Sequence, residues 1–141
     1  MINRKTKKMM KMEKLRKLKN KSDSFTLNLD EPELRWDEYP SVVVFDLLST
    51  SGLMKLIFRC SLEMLSVYED ENTIFVVSKT EVEHESPAKL NQELVVELQV
   101  KDVKNNRIYF EGNAKQNNEN IAVFSLERVA VSLEYFGRMI K

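Results

Sequence analysis

The one histidine of the chain, His84, is the side chain best suited to acid–base chemistry near neutral pH, because an imidazole titrates at about 6.5. Three hydroxyl residues, Ser49, Thr50 and Ser51, precede an apolar helical pattern. The free amides near Ser51 to Met54 could stabilise an oxyanion, and the Thr50 hydroxyl could attack a carbonyl or position water. Alternatively, the hydroxyls only cap the helix and His84 is a hydrogen-bonded structural histidine.

The composition gives little support for a metal site or a phosphate-binding loop. One His and one Cys cannot form a metal-ligand cluster, and three glycines, at positions 52, 112 and 137, do not make a phosphate loop. We therefore predict neither a metal nor a cofactor. Cys60 lies within the apolar pattern of the helix, which favours a core residue over a nucleophile. A single cysteine fits a reducing compartment, so we predict a cytoplasmic protein.

A predicted helix over residues 51–66 carries the hydroxyl run at its start. Its apolar residues recur at spacings of three and four and so share one face: Leu53, Leu56, Ile57, Cys60 and Met64. An irregular segment precedes this helix and contains Trp36 and Tyr39. These two aromatic residues could line a ligand cleft or simply pack over the helix entrance.

Alternating apolar and polar residues predict strands on both sides of the helix. Residues 24–29 form a half-buried first strand, and four antiparallel strands joined by short turns follow the helix. In the first of these four, the face predicted to meet the helix comprises Ile74, Val76, Ser78, Thr80, Val82 and His84. The sequence therefore predicts an α+β fold in which a five-stranded antiparallel sheet wraps one helix.

Charge divides the chain into two parts. Residues 1–22 contain 10 of the 22 Lys and Arg residues and one acid, and we predict a disordered or frayed basic extension there. We place a single domain at residues 23–141, where 12 basic residues stand against 21 acidic ones. This acidic body argues against nucleic-acid binding, although a nucleic-acid role for the basic extension is an alternative. No apolar run approaches the roughly 20 residues of a membrane span.

Two stretches carry a resemblance to a known family. They are residues 48–54, LSTSGLM, at the helix entrance, and residues 80–88, TEVEHESPA, where a strand ends in a histidine followed by a turn with proline. Glu127-Arg128-Val129 fits the ending of the same family. With the order of elements over residues 23–134, these stretches resemble the hotdog fold, and within it the fluoroacetyl-CoA-type thioesterases.

The resemblance implies a homodimer whose sheets join edge to edge, with acyl-CoA clefts at the interface. It implies Thr50 or Ser51 as the catalytic hydroxyl and His84 as the catalytic histidine. The residues placed near the substrate are Gly52, Leu53, Trp36, Tyr39, Phe58 and Arg59.

One departure from the family leaves the function open. The resemblance implies a glutamate about two turns after the hydroxyl, where this chain has Phe58 or Arg59. Two functions follow from this. The protein hydrolyses a small acyl-CoA thioester, or it is a non-catalytic dimer that binds an acyl-CoA or another small ligand.

Overall fold

Five antiparallel strands wrap one long helix in the computed structural model, which describes residues 11–140. The helices are α1 (residues 11–16), α2 (Pro40–Val43), α3 (Thr50–Leu65) and α4 (Leu133–Met139). The strands are β1 (Ser22–Asn28), β2 (Thr73–His84), β3 (Glu93–Lys104), β4 (Arg107–Gln116) and β5 (Glu119–Ser132). Short 3₁₀ turns occur at Pro32–Leu34 and Ser66–Tyr68. The predicted sheet and its single long helix are confirmed.

The strands are ordered β1-β3-β4-β5-β2, and every neighbouring pair is antiparallel. Strand β2, which ends at His84, therefore lies at an edge of the sheet and pairs with β5 alone among the described strands. An unpaired edge presents backbone donors and acceptors that another strand can use. Asparagine supports the turns between strands, since Asn105 has φ 56° and Asn117 has φ 53°.

Helix α3 is the centre of the core. Its buried face comprises Leu53, Leu56, Ile57, Cys60, Met64 and Leu65, and it packs against inward side chains of the sheet such as Val96 and Phe110. Burial raises the pKa of the Cys60 thiol to about 12, and nearby Glu63 adds to this shift. A thiol with so high a pKa is not ionised at neutral pH, in keeping with a core role.

The alternation that we predicted for β2 is wrong in the first half of that strand. Ile74 was placed on the face towards the helix, but Phe75 is the buried side chain there, at 5% exposure. The register against β5 shifts at Ser78, and an extra residue at such a bulge inverts which side chains point inward. Beyond the bulge, His84 reaches the start of α3 as expected.

Part of the predicted extension packs into the domain. Leu15 and Leu18 are 1% and 0% exposed and belong to the core, where they replace water with apolar contacts. The ammonium of Lys11 lies 2.6 Å from the carboxylate of Asp70, and this hydrogen bond is the main reason that the pKa of Asp70 falls to about 2. Residues 1–10 lie outside the described residues.

Candidate active site

The end of β2 meets the start of α3, and two of the predicted site residues touch there. Thr50 Oγ1 lies 2.9 Å from His84 Nδ1. The other candidate hydroxyl, Ser51 Oγ, lies 3.2 Å from Ser49 Oγ instead. The structure therefore brings the histidine to Thr50 rather than to Ser51.

The environment of His84 favours its neutral form. Burial lowers the pKa of the imidazole from its ordinary value, and the nearby Ser86 backbone acts in the opposite direction. The second ring nitrogen, Nε2, is buried and has no hydrogen-bond partner among residues 11–140. A neutral imidazole whose Nδ1 contacts a hydroxyl can accept a proton from it.

The amides at the start of α3 are only partly free. Ser49 is the N-cap of this helix, and its hydroxyl accepts a hydrogen bond from the Gly52 amide at 2.9 Å. Its carbonyl accepts one from the Leu53 amide at 2.9 Å, so the oxyanion donors predicted at these two positions are already occupied. The amides of Thr50 and Ser51 have no acceptor within residues 11–140. They remain available to a developing negative charge.

Three short segments hold this helix start in place, and we call them the entrance ribbon: residues 34–36, 46–49 and 88–90. Four backbone hydrogen bonds of 2.8 Å join them, namely Ser49 N to Leu34 O, Trp36 N to Leu47 O, Leu48 N to Ala88 O, and Leu90 N to Asp46 O. Gly52 fits closely beneath the ribbon, because a Cβ at this position would lie 3.0 Å from the carbonyl oxygen of Leu34. The ribbon therefore fixes Thr50 relative to the strand end that carries His84.

Positions 58 and 59 hold no carboxylate. Phe58 is half-buried and packs against the core. Arg59 Nη1 lies 2.9 Å and 3.0 Å from the two carboxylate oxygens of Glu31, outside the contact between Thr50 and His84. Position 58 follows Thr50 by eight positions in the helix, a rise of about 12 Å. Among residues 11–140, the acid–base side chain in contact with the Thr50 hydroxyl is therefore that of His84.

The remaining predicted substrate residues differ in exposure. Leu53 is 0% exposed and belongs to the core. The rings of Trp36 and Tyr39 pack edge to face with centroids 6.0 Å apart, and Tyr39 is 59% exposed. Sequence reasoning missed Val44 and Phe45, which are 76% and 61% exposed just before the helix entrance. The signal available in the sequence was that both residues belong to an apolar run that has helical neighbours and lacks the alternation of a strand.

Sequence reasoning also missed the structural importance of Arg128, which is 6% exposed between α3 and β2. Its guanidinium donates to the Phe75 carbonyl at 2.6 Å, to the Phe58 carbonyl at 2.9 Å and to Ser61 Oγ at 2.8 Å. Burial lowers the pKa of this side chain, while the charge of Glu69 opposes that shift. Arg128 thus joins the helix of the site to the strand of the site.

The contact between Thr50 and His84 is exposed at the surface. A groove of about 890 Å³ lies on the outer face of the sheet and includes neither residue. Its carboxylates are Asp23, Glu81, Glu83, Glu97 and Glu111. Within residues 11–140 no three His, Cys, Asp or Glu side chains are grouped to hold a metal ion, and no helix is long and apolar enough to span a membrane.

This architecture is the hotdog fold, which the solved structures confirm. A hot-dog-like protein from Thermanaerovibrio acidaminovorans superposes with a TM-score of 0.79 at 18% identity, covering 89% of this chain and 93% of that one. A thioesterase superfamily member from Thermus thermophilus gives 0.75 at 16% identity over 86% and 89% of the two chains. The fluoroacetyl-CoA-specific thioesterase FlK, as a variant complexed with fluoroacetate and CoA, gives 0.72 at 15% identity over 84% and 98%.

A match to a family model identifies the family of this chain within the hotdog fold. The model of the fluoroacetyl-CoA-specific thioesterase (FlK) family matches residues 31–134. The chain belongs to this family, and the predicted resemblance is confirmed. Among curated proteins, no sequence matches that of this chain.

Proposed function

We propose that this protein is a cytoplasmic acyl-CoA thioesterase that hydrolyses a small acyl-CoA without a cofactor, at a cleft built on Thr50 and His84. The observation that carries the proposal is the 2.9 Å contact between the Thr50 hydroxyl and an imidazole whose other nitrogen has no partner within residues 11–140. Membership of the FlK family supports thioester hydrolysis as the reaction class. Trp36, Tyr39, Val44 and Phe45 supply aromatic and apolar surface before the helix entrance.

The reaction needs one base and one oxyanion site. His84 takes a proton from the Thr50 hydroxyl, or from a water bound to it, and the resulting oxygen nucleophile attacks the thioester carbonyl. The Thr50 and Ser51 amides stabilise the oxyanion. When the carbon–sulfur bond breaks, the CoA thiolate takes the proton from His84. If Thr50 itself attacked, water then hydrolyses the acyl-threonine by the same base.

The proposal is tested by a hydrolysis screen over short, medium and aromatic acyl-CoA thioesters, with released thiol as the signal. We expect turnover of at least one small acyl-CoA. A folded protein that binds acyl-CoA but releases no thiol from any of them would contradict the enzymatic proposal.

We expect the protein to be a homodimer. Strand β2, which ends at His84, lies at a sheet edge, and Tyr39, Val44 and Phe45 expose apolar surface in the segment before the helix entrance, so a second copy would both cover this surface and enclose the cleft. Light scattering at micromolar concentration should therefore give about twice the chain mass of 16.5 kDa. A monomer of unchanged mass over this range would leave the site without the proposed interface.

One observation favours a non-catalytic acyl-CoA binder as the second candidate. The carboxylate that the family resemblance implies on α3 is absent, because Phe58 packs against the core and Arg59 pairs with Glu31. An imidazole without a carboxylate in support still contacts polar ligand atoms. Such a dimer would bind a thioester without a rapid chemical step.

Restoring a carboxylate separates these candidates. Phe58→Glu should raise the hydrolysis rate about tenfold, less than the roughly 10²–10⁴-fold of a well-placed acid–base group, because about 12 Å of helix separates position 58 from Thr50. Position 59 is the poorer choice, since a glutamate there would face Glu31, the present partner of Arg59. Leu62→Glu, one helical turn further and 39% exposed, adds the same charge as a control and should leave the rate unchanged. No gain from Phe58→Glu in a folded dimer would favour the binding protein.

A further inference from the structure

We infer that Gln116 is a positioning residue of this site, holding the segment after His84 and, through it, the entrance of α3. The inference rests on the proposed function for its effect on turnover. Gln116 ends strand β4 and touches neither Thr50 nor His84 in the hydrogen bonds of the described residues. Any effect on the chemistry must therefore pass through the backbone that it holds.

The side-chain carboxamide of Gln116 pairs with a backbone segment as a strand residue would. It is 6% exposed, and its carboxamide makes two hydrogen bonds to one residue, accepting from Lys89 N at 2.8 Å and donating to Lys89 O at 2.9 Å. Two bonds exchanged with one residue reproduce the pattern of an antiparallel bridge. Both polar atoms are satisfied, so the amide is rigidly oriented despite its burial.

The opposite edge of the same segment pairs with the helix entrance. Leu48 N donates to Ala88 O, and Leu90 N donates to Asp46 O, each at 2.8 Å. Lys89 therefore lies between the carboxamide of Gln116 and residues 46–48. Without Gln116, the entrance ribbon would have an unpaired edge at Lys89. The carboxamide of Gln116 therefore joins the ribbon to the main sheet.

Both halves of the site depend on this ribbon. The segment held by Gln116 begins four residues after His84, and its neighbour, residues 46–49, leads directly into Thr50. Glu85 N and Ser86 N both donate to Ile121 O, so the strand end itself is fixed to β5 and the freedom lies in the residues that follow. Without the carboxamide, Lys89 N and O lose their partners and the ribbon can shift against His84. Displacements of about 1 Å at a catalytic contact cost about 100-fold in rate.

The test uses Gln116→Met, which keeps the length of the side chain and removes both hydrogen bonds. Because His84 is the one histidine in the chain, its ring signals in an NMR titration are unambiguous. We expect its pKa to rise towards the ordinary value as water reaches the ring, and we expect turnover to fall about 10-fold to 100-fold with little change in KM. Burial causes the present lowering and the Ser86 backbone opposes it, with no charged side chain of α3 or β5 contributing.

Asn106→Ala is the matched control. Asn106 Nδ2 donates to Ala130 O at 2.9 Å at the other end of β4, so its loss should lower stability without moving the His84 titration. If Gln116→Met does not fold, Gln116→Asn, one methylene too short to reach both Lys89 atoms, is measured in its place. An unmoved His84 titration in the folded variant would overturn the inference. The titration needs no substrate, so it decides this point even if the wild-type protein hydrolyses no thioester.

Discussion

His84→Ala should lower kcat on the acyl-CoA substrate by about 10²–10⁴-fold, the usual contribution of a general acid or base. The loss is expected in kcat rather than KM, because the imidazole contacts the Thr50 hydroxyl at 2.9 Å and acts on the proton that moves during attack. Folding should be nearly preserved, since the ring is only half-buried. Ser51→Ala is the matched control, because that neighbouring hydroxyl contacts Ser49 and not the histidine.

The pH dependence follows from the direction of the pKa shift. Burial lowers the pKa of His84, so the ring is neutral at pH 7 and kcat/KM should stay flat through neutrality. Activity should fall on the acid side, at a pH below the ordinary histidine value of about 6.5, and His84→Ala should lack this limb. Turnover that is unchanged in His84→Ala would identify a structural histidine and remove the proposed base.

The stability of the protein should also depend on pH through the lowered pKa of His84. A histidine whose folded pKa is lowered binds fewer protons when folded than when unfolded, so its stabilising contribution is complete above about 6.5 and is lost as the pH falls towards the folded value. Wild-type protein should therefore lose stability between these two pKa values, and this part of the loss should be absent in His84→Ala.

The helix and strands of this fold were accessible from the sequence because their signals are local. The three- and four-residue spacing that includes Leu53 and Ile57 predicted α3 within one residue at each end. The bulge at Ser78 was not accessible, since strict alternation assumes a regular register and an extra residue inverts it. The same alternation placed His84 correctly because the inversion lies before it in the chain.

The site could be predicted only in part from the sequence, because its contacts depend on tertiary structure. Residue types and the family resemblance selected Thr50, Ser51 and His84, but only tertiary structure shows which hydroxyl meets the ring. Gln116 and Arg128 carry no chemical signal of their own, because their value depends on distant backbone atoms that they contact. Arg128 did leave one clue, since it follows Phe124 and Leu126 at the inward positions of β5, where a charged side chain requires a partner.

Arg128→Met should lower the free energy of unfolding by about 3 kcal/mol. Hydrogen bonds from a charged donor contribute about 1.5–3 kcal/mol each, and three are lost, to Phe58 O, Phe75 O and Ser61. Removing a buried charge returns part of this, because the guanidinium loses hydration on folding, as its lowered pKa shows. The bonds prevail because all three guanidinium nitrogens have acceptors, and methionine would remove the donors to the Phe75 carbonyl, the Phe58 carbonyl and Ser61 Oγ.

Urea unfolding followed by circular dichroism measures this difference, with an unchanged slope expected if the native state stays compact. Arg107→Met is the matched control, because that guanidinium is 50% exposed and pairs with Glu127 at 3.0 Å, so its loss should cost at most about 1 kcal/mol. Arg128→Lys should remain destabilised, since a single ammonium cannot reach acceptors in three directions. Wild-type stability in Arg128→Met would mean that the hydration lost by the guanidinium cancels its hydrogen bonds. The contact between α3 and β2 would then depend on apolar packing alone.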